Sequence, residues 1–229
     1  MGLRVSKTRD RLTKGIGIFI LVVVVGLFGL LVFNERNLRN NRSEREPMQH
    51  LGTLYGDGVE VDETEVTEEM RDEWVVAADR PRFLSIERLG IVNARVLEVG
   101  ILDNGEMATP VNIFDTAWYR MSALPGQSGA MLVNGHNGGP TLDGVFKRLG
   151  ELANGDEIVI ERGDGEIFVF AVVENRVVNM DEARQLMGAM MESAEAGREG
   201  LNLITCIGEW IPSERTFDQR VFLRAVRIL

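Results

Sequence analysis

Residues 81–229 predict a mostly β domain, a barrel or a sandwich, of about 150 residues, an ordinary size for one domain. Short runs alternate apolar and polar residues, as in Arg82-Phe83-Leu84-Ser85-Ile86 and Ala94-Arg95-Val96-Leu97-Glu98-Val99. Turn signatures separate the runs: Asp103-Asn104-Gly105-Glu106, Asn154-Gly155-Asp156 and Gly163-Asp164-Gly165. Helical composition is confined to a few stretches, the longest being 181–198.

Residues 1–14 are basic, with Arg4, Lys7, Arg9, Arg11 and Lys14 against Asp10. Residues 15–33 then run nineteen positions without a charge. As a helix this run is roughly 28 Å long, close to the hydrocarbon thickness of a bilayer. A secretory signal peptide is the competing reading, but Phe33-Asn34-Glu35-Arg36 offers no small-residue cleavage site. An uncleaved transmembrane anchor is expected. Arg36, Arg39, Arg42 and Arg45 follow the span, so the positive-inside rule favours a cytoplasmic N-terminus only weakly.

Residues 34–80 read as an acidic, flexible linker. Within 57–73 there are nine carboxylates and one Arg71, too little apolar content to fold alone. A helical turn around 67–76, with Met70, Trp74 and Val75 on one side, is the alternative to a solvated spacer. Pro81 marks the expected domain boundary. The turn at 103–106 has the opening of a calcium loop but lacks the later ligands, so it reads as a turn.

Ala130-Met131-Leu132-Val133 reads as a buried strand running into the Gly-flanked loop Asn134-Gly135-His136-Asn137-Gly138. Residues 143–149 read as a short helix capped by Asp143, with Val145, Phe146 and Leu149 inward. Residues 157–160 and 167–173 form a hairpin. The helical stretch 181–198 holds Leu186, Met187, Met190 and Met191, either as core or as an adaptable contact for a substrate. A strand ending at Cys206, a loop through Pro212 and a last strand from Gln219 complete the domain.

The net charge of −10 and pI near 4.9 exclude a general nucleic-acid binder. His50 and His136 are far apart, no cluster has metal-ligand spacing, and no cofactor is implied. Cys206 is the only cysteine, so it forms no internal disulfide. A lone Cys is often a small buried hydrophobe. Three features favour chemistry instead. Cys206 ends an apolar run, His136 is the only histidine of the domain, and Arg220 begins the next strand. An imidazolium stabilises a thiolate, and a guanidinium can hold the oxyanion formed when that thiolate attacks an acyl carbon. Asn134-Gly135-His136 as a mere hairpin tip and Arg220 as a surface cation remain open. Tyrosine-phosphatase chemistry needs Arg six positions after the Cys, where Pro212 stands, and the first arginine is Arg215. Papain-like proteases place Cys before His, the reverse of the order here. There is no Cys-x-x-Cys for thiol exchange.

These residues resemble the sortases, membrane-anchored cysteine transpeptidases of the bacterial cell surface. Leu203-Ile204-Thr205-Cys206 resembles the family's Thr-Leu-x-Thr-Cys signature, Gly135-His136 its histidine motif, and Arg220 with Val221-Phe222-Leu223 its arginine and last strand. Trp118-Tyr119-Arg120, Leu124-Pro125-Gly126-Gln127-Ser128-Gly129 and Val145-Phe146-Lys147-Arg148-Leu149 resemble stretches common in the E- and F-like classes. Asn202 departs from the signature's first Thr, and the insertion at 181–198 falls where sortases build part of the substrate wall.

The resemblance implies an eight-stranded β-barrel with short helices as the catalytic domain, 81–229. It implies that Cys206 cleaves a sorting signal resembling Leu-Pro-x-Thr-Gly between Thr and Gly. His136 would act as acid and base, Arg220 would hold substrate and oxyanion, and Thr205 would orient the substrate or the site. Arg215 and Arg224 are the other candidate arginines. The implied partners are surface proteins bearing a C-terminal sorting signal and an amine, from a peptidoglycan precursor or another protein. The domain would face outward from a single-pass membrane anchor with a cytoplasmic N-terminus. No second apolar span follows the domain, which counts against a pilin polymerase. A hydrolase using water as acceptor, or an inactive sortase-like barrel serving as a tethered binding module, are the alternatives.

Overall fold

The computed structural model describes residues 61–214 and 216–229. The expectations for residues 1–14, the anchor at 15–33 and the linker as far as residue 60 lie outside the described residues. The domain is a closed barrel of eight strands. In chain order these are β1 (Pro81–Ile86), β2 (Ile91–Val99), β3 (Thr116–Tyr119), β4 (Ala130–Gly135), β5 (Glu157–Arg162), β6 (Ile167–Asn179), β7 (Gly200–Ile211) and β8 (Thr216–Arg227). Around the barrel they follow the order β1-β2-β3-β4-β7-β8-β6-β5, and β5 returns to β1. The open choice between barrel and sandwich is thus resolved as a barrel.

Two pairs are parallel, β2 with β3 and β4 with β7. The others are antiparallel. Parallel neighbours need long crossovers. Residues 100–115 make the first, and the β5–β6 hairpin with the segment after it makes the second.

Alternation sorts the side chains. Leu201 and Leu203 of β7, Val221 and Leu223 of β8, and Met131 and Val133 of β4 point into the barrel with Trp118, Phe146, Phe168 and Phe170. Their neighbours out of phase, Leu132, Ile204 and Phe222, point outward yet are also buried. They are covered by helix α2 (Met180–Leu186) and the 3-10 turn Met187–Met191, through Ala183 and Met190. This explains why β4 reads as a continuous apolar run: every residue in it is buried.

The helix at 181–198 is shorter than expected. Asn179 caps it by accepting from the Glu182 amide, and regular α-helix ends at Leu186. Gly188 disfavours continuation. The side-chain amide of Asn202 then draws down the carbonyls of Met190 and Glu192, at 2.9 and 3.0 Å. Met190 is 2 % exposed, so the core reading of the methionine cluster holds for that residue.

The helix expected at 143–149 is a set of turns ending in a 3-10 turn, Leu149–Glu151. The amides of Val145 and Phe146 donate to Ile113 O and His136 O, which removes them from a helical ladder. Phe146 and Leu149 are nonetheless fully buried.

The expected solvated linker does not describe residues 61–80. Thr67 caps a short helix, α1 (Glu68–Asp72). Val66 and Trp74 are buried. Trp74 packs with Phe83 and Leu97 on the outside of β1 and β2, beneath the Arg95 guanidinium, and its carbonyl accepts from Arg82 Nε at 2.9 Å. The many carboxylates mask a few well-placed apolar groups. Of the side expected from sequence, Trp74 packs inward, whereas Val75 is 60 % exposed.

Trp74→Ala should therefore destabilise the domain by about 3 kcal/mol, the usual cost of deleting a buried large aromatic. Urea unfolding of the full chain, followed through the β-sheet signal, measures this. An unchanged midpoint would return residues 61–80 to the status of a spacer.

Candidate active site

Three adjacent strands carry the candidate residues. β7 pairs β8 with Cys206 directly opposite Arg220. β4 pairs β7 in parallel with Asn134 opposite Ile204. Carried two residues further along each chain, just past the end of β4, the same register would set His136 level with Cys206. Neighbouring strands lie about 4.8 Å apart, so the three backbones form one short row. Cys206 and Arg220 are in phase with Ile204 and Phe222, on the outer face of the barrel. The strand does not end at Cys206 as expected. It continues to Ile211 through a bulge between Ile207 and Trp210. Gly208 sits in that bulge at φ 93°, where a Cβ would overlap the Asp218 carboxylate.

Arg220 is held by its own hairpin. Nη1 donates to Phe217 O and Gln219 O, both at 2.8 Å, and Nη2 to Thr216 Oγ1 at 2.7 Å. These bonds use three of the guanidinium's five N–H groups. Arg224 lies elsewhere. It is opposite Asn202, roughly 13 Å along the strand, and reaches Glu192 O and Glu174. Arg215 is outside the described residues.

The thiol of Cys206 is half-buried. Burial pushes its pKa above the ordinary value, while the Arg220 charge and a hydrogen bond with Thr216 pull it down and Glu106 pushes it up. Thr216 was missed in the sequence. Its hydroxyl accepts from Arg220 and also serves Cys206, so it links the cation to the thiol. The register of the β7–β8 hairpin was the one signal that could have found it. Glu106 belongs to the hairpin turn at 101–107, where Leu102 N donates to Glu106 O and Gly105 takes φ 85°. That segment is a turn, as its sequence indicates.

His136 follows β4 immediately. Its Nε2 lies 2.6 Å from Pro110 O. A carbonyl only accepts, so Nε2 carries the proton and Nδ1 bears the lone pair of the neutral ring. Burial lowers the imidazole pKa and the Pro110 carbonyl partly opposes this. A raised thiol and a lowered imidazole leave both groups uncharged at neutral pH.

The backbone around His136 is closely fitted. A Cβ on Gly135 would overlap Phe146 and Val145. The Gly135 carbonyl accepts from Thr205 Oγ1 at 2.9 Å. Thr205 is one residue out of phase with Cys206 and 4 % exposed. Its hydroxyl is thus engaged inside the barrel, which fits the orientation of the site rather than of the substrate. It ties β7 to the residue before His136. Asn202, fully buried on the outer face, fastens the 187–192 segment rather than taking part in chemistry.

Residues 84–228 match the Sortase domain family. No curated protein matches the chain. Among solved structures it is similar to sortase C1 of Streptococcus agalactiae, with 20 % identity, a TM-score of 0.48 and coverage of 71 % of this chain and 77 % of that one. It is also similar to the Sortase D5 transpeptidase of Clostridium perfringens, with 21 % identity, a TM-score of 0.46 and coverage of 71 % and 89 %. A third is the SrtA sortase of Actinomyces oris, with 19 % identity, a TM-score of 0.46 and coverage of 77 % and 89 %. With the family matched across residues 84–228, this chain belongs to the sortases, a family of cysteine transpeptidases.

Proposed function

We propose that this sortase cleaves a signal resembling Leu-Pro-x-Thr-Gly between Thr and Gly and passes the acyl group to an amine. The carrying observation is the pairing of Cys206 with Arg220 on the outer face, with His136 directly after the neighbouring strand β4. The thiol proton moves to the imidazole, and the thiolate attacks the Thr carbonyl carbon. A C–S bond forms and the oxygen becomes an anion beside Arg220. The C–N bond then breaks as His136 protonates the leaving amine, which gives a thioacyl enzyme. The incoming amine attacks that carbonyl, gives its proton to His136 and expels the thiolate.

The stretches at 118–120, 124–129 and 145–149 support an E- or F-like class. The charge-free run at 15–33 supports a single-pass anchor with the barrel on the extracytoplasmic side. There the acceptor is an amine of a peptidoglycan precursor and the donors are surface proteins bearing C-terminal sorting signals. The helix and 3-10 turn over 180–191 flank the same outer face and suit a substrate wall.

Cys206→Ala and His136→Ala should each abolish cleavage of a sorting-signal peptide while the fold persists. Wild-type enzyme should carry the acyl mass on Cys206 in intact-protein mass spectrometry. Full turnover in either variant would defeat the transpeptidase reading, and product formed only with water would make the protein a hydrolase.

Arg220→Lys should lower kcat about 10²-fold, the scale of losing an oxyanion donor. Arg224→Lys should leave kcat near wild type. Steady-state kinetics with one peptide separates the two, and the reverse ranking would move the role to Arg224.

The pH profile of kcat/KM should be a broad bell. The form with one proton shared by thiol and imidazole is lost below the imidazole pKa, which lies under 6.5, and above the thiol pKa, which lies over 9.0. A profile narrower than those limits would contradict the desolvated pair.

A further inference from the structure

Residues 62–66 precede the barrel, yet their polar groups engage the two loops that hold His136. Asp62 N–H donates to Val111 O and Ile113 N–H donates to Asp62 O, both at 2.9 Å, forming a parallel bridge at Asn112. Asn112 Nδ2 donates back to Thr64 O at 2.8 Å and to Asp62 Oδ2 at 3.3 Å. This stretch begins at Pro110, whose carbonyl takes the imidazole Nε2. Arg95 secures its far end through two bonds to Asp115, at 2.7 and 2.8 Å.

Glu63 reaches the second loop. Its Oε1 accepts from the amides of Thr141 and Leu142, both at 2.8 Å, and its Oε2 from Thr141 Oγ1 at 2.5 Å. A Cβ on Gly139 would overlap this carboxylate. The loop closes through Gly139 N to Leu142 O and Gly144 N to Asn137 O, and Phe146 N then donates to His136 O at 2.9 Å. A Cβ on Gly144 would overlap His136 O. Val145 N donates to Ile113 O at 2.8 Å and joins the two loops. Hydrogen bonds from Thr141 and Leu142 hold Glu63 below the ordinary carboxylate value, so it is ionised at neutral pH.

We infer that residues 62–64 form a strap that fixes His136, with Glu63 as a positioning residue that sets the imidazole through the 137–146 loop. Asp62 clamps the stretch that binds the ring, and Glu63 clamps the loop that follows it. Val66, buried just beyond, holds the strap on the barrel. The kinetic consequence rests on the proposed transpeptidase reading. The positional consequence does not.

The test uses the full chain with Glu63→Ala, Glu63→Gln and, as control, the exposed Glu65→Gln. The chain has two histidines, so His136 is assigned in an NMR titration by its loss in His136→Asn. In Glu63→Ala the His136 midpoint should rise towards the ordinary value as the ring rehydrates, and amide exchange should accelerate over 137–146 but not in β5 and β6. kcat should fall about tenfold with KM within about twofold, as expected when a catalytic group is misplaced rather than removed. Glu63→Gln keeps an acceptor for the two amides and should lie between Ala and wild type. Glu65→Gln should match wild type. An unchanged His136 midpoint and unchanged exchange in Glu63→Ala would overturn the strap, and so would equal acceleration over the whole barrel. If the wild type cleaves no sorting peptide, the function reading fails, while titration and exchange still decide the strap.

Discussion

A hairpin cannot make a parallel pair, and β4 meets β7 only after the chain has laid down β5, β6 and the segment that follows them. That pairing is the constraint on which the site depends. It fixes how far β4 extends beside β7, and hence where His136 stands relative to Cys206. The bond from Thr205 to the Gly135 carbonyl locks the register at its functional end. A slip of one residue would send Cys206 into the barrel and Thr205 out.

The outer face of β4, β7 and β8 serves two purposes. One end is core, where Leu132, Ile204 and Phe222 lie beneath Ala183 and Met190. The other end is the row of thiol and guanidinium. The apolar end lowers the dielectric around the charged forms, and this raises the thiol and lowers the imidazole. Resting as an uncharged pair protects the thiol, since the thiolate is the oxidisable form.

Much of the fold was legible because two-residue alternation and glycine turns are local signals, as at 94–99 and 163–165. Cys206 and His136 stood out as the one cysteine and the one histidine of the domain, whereas Arg220 had to be chosen among several arginines, and the strand ends expected at Cys206 and Gln219 fall elsewhere. Three things were not legible. Residues 61–80 looked solvated because carboxylates outnumber the few apolar side chains, and only the tertiary partners of Trp74 reveal its place. The end of the helix at Leu186 depends on capture by Asn202, a contact across the fold. The roles of Thr205 and Thr216 depend on phase and register, since the same residue type serves the interior at one position and the thiol at the other.

The separations along the chain have a consequence for assembly. Cys206 and Arg220 belong to one hairpin and can meet as soon as it closes, a local event on the microsecond scale. His136 must arrive from seventy residues upstream, after the crossover is complete. Such non-local contacts form late because their loops are entropically costly to close. A nascent or partly unfolded barrel therefore holds its thiol beside a cation but without His136, the proton carrier of the proposed mechanism. It is an enzyme that can be alkylated before it can turn over, and only completion of the barrel converts the one property into the other.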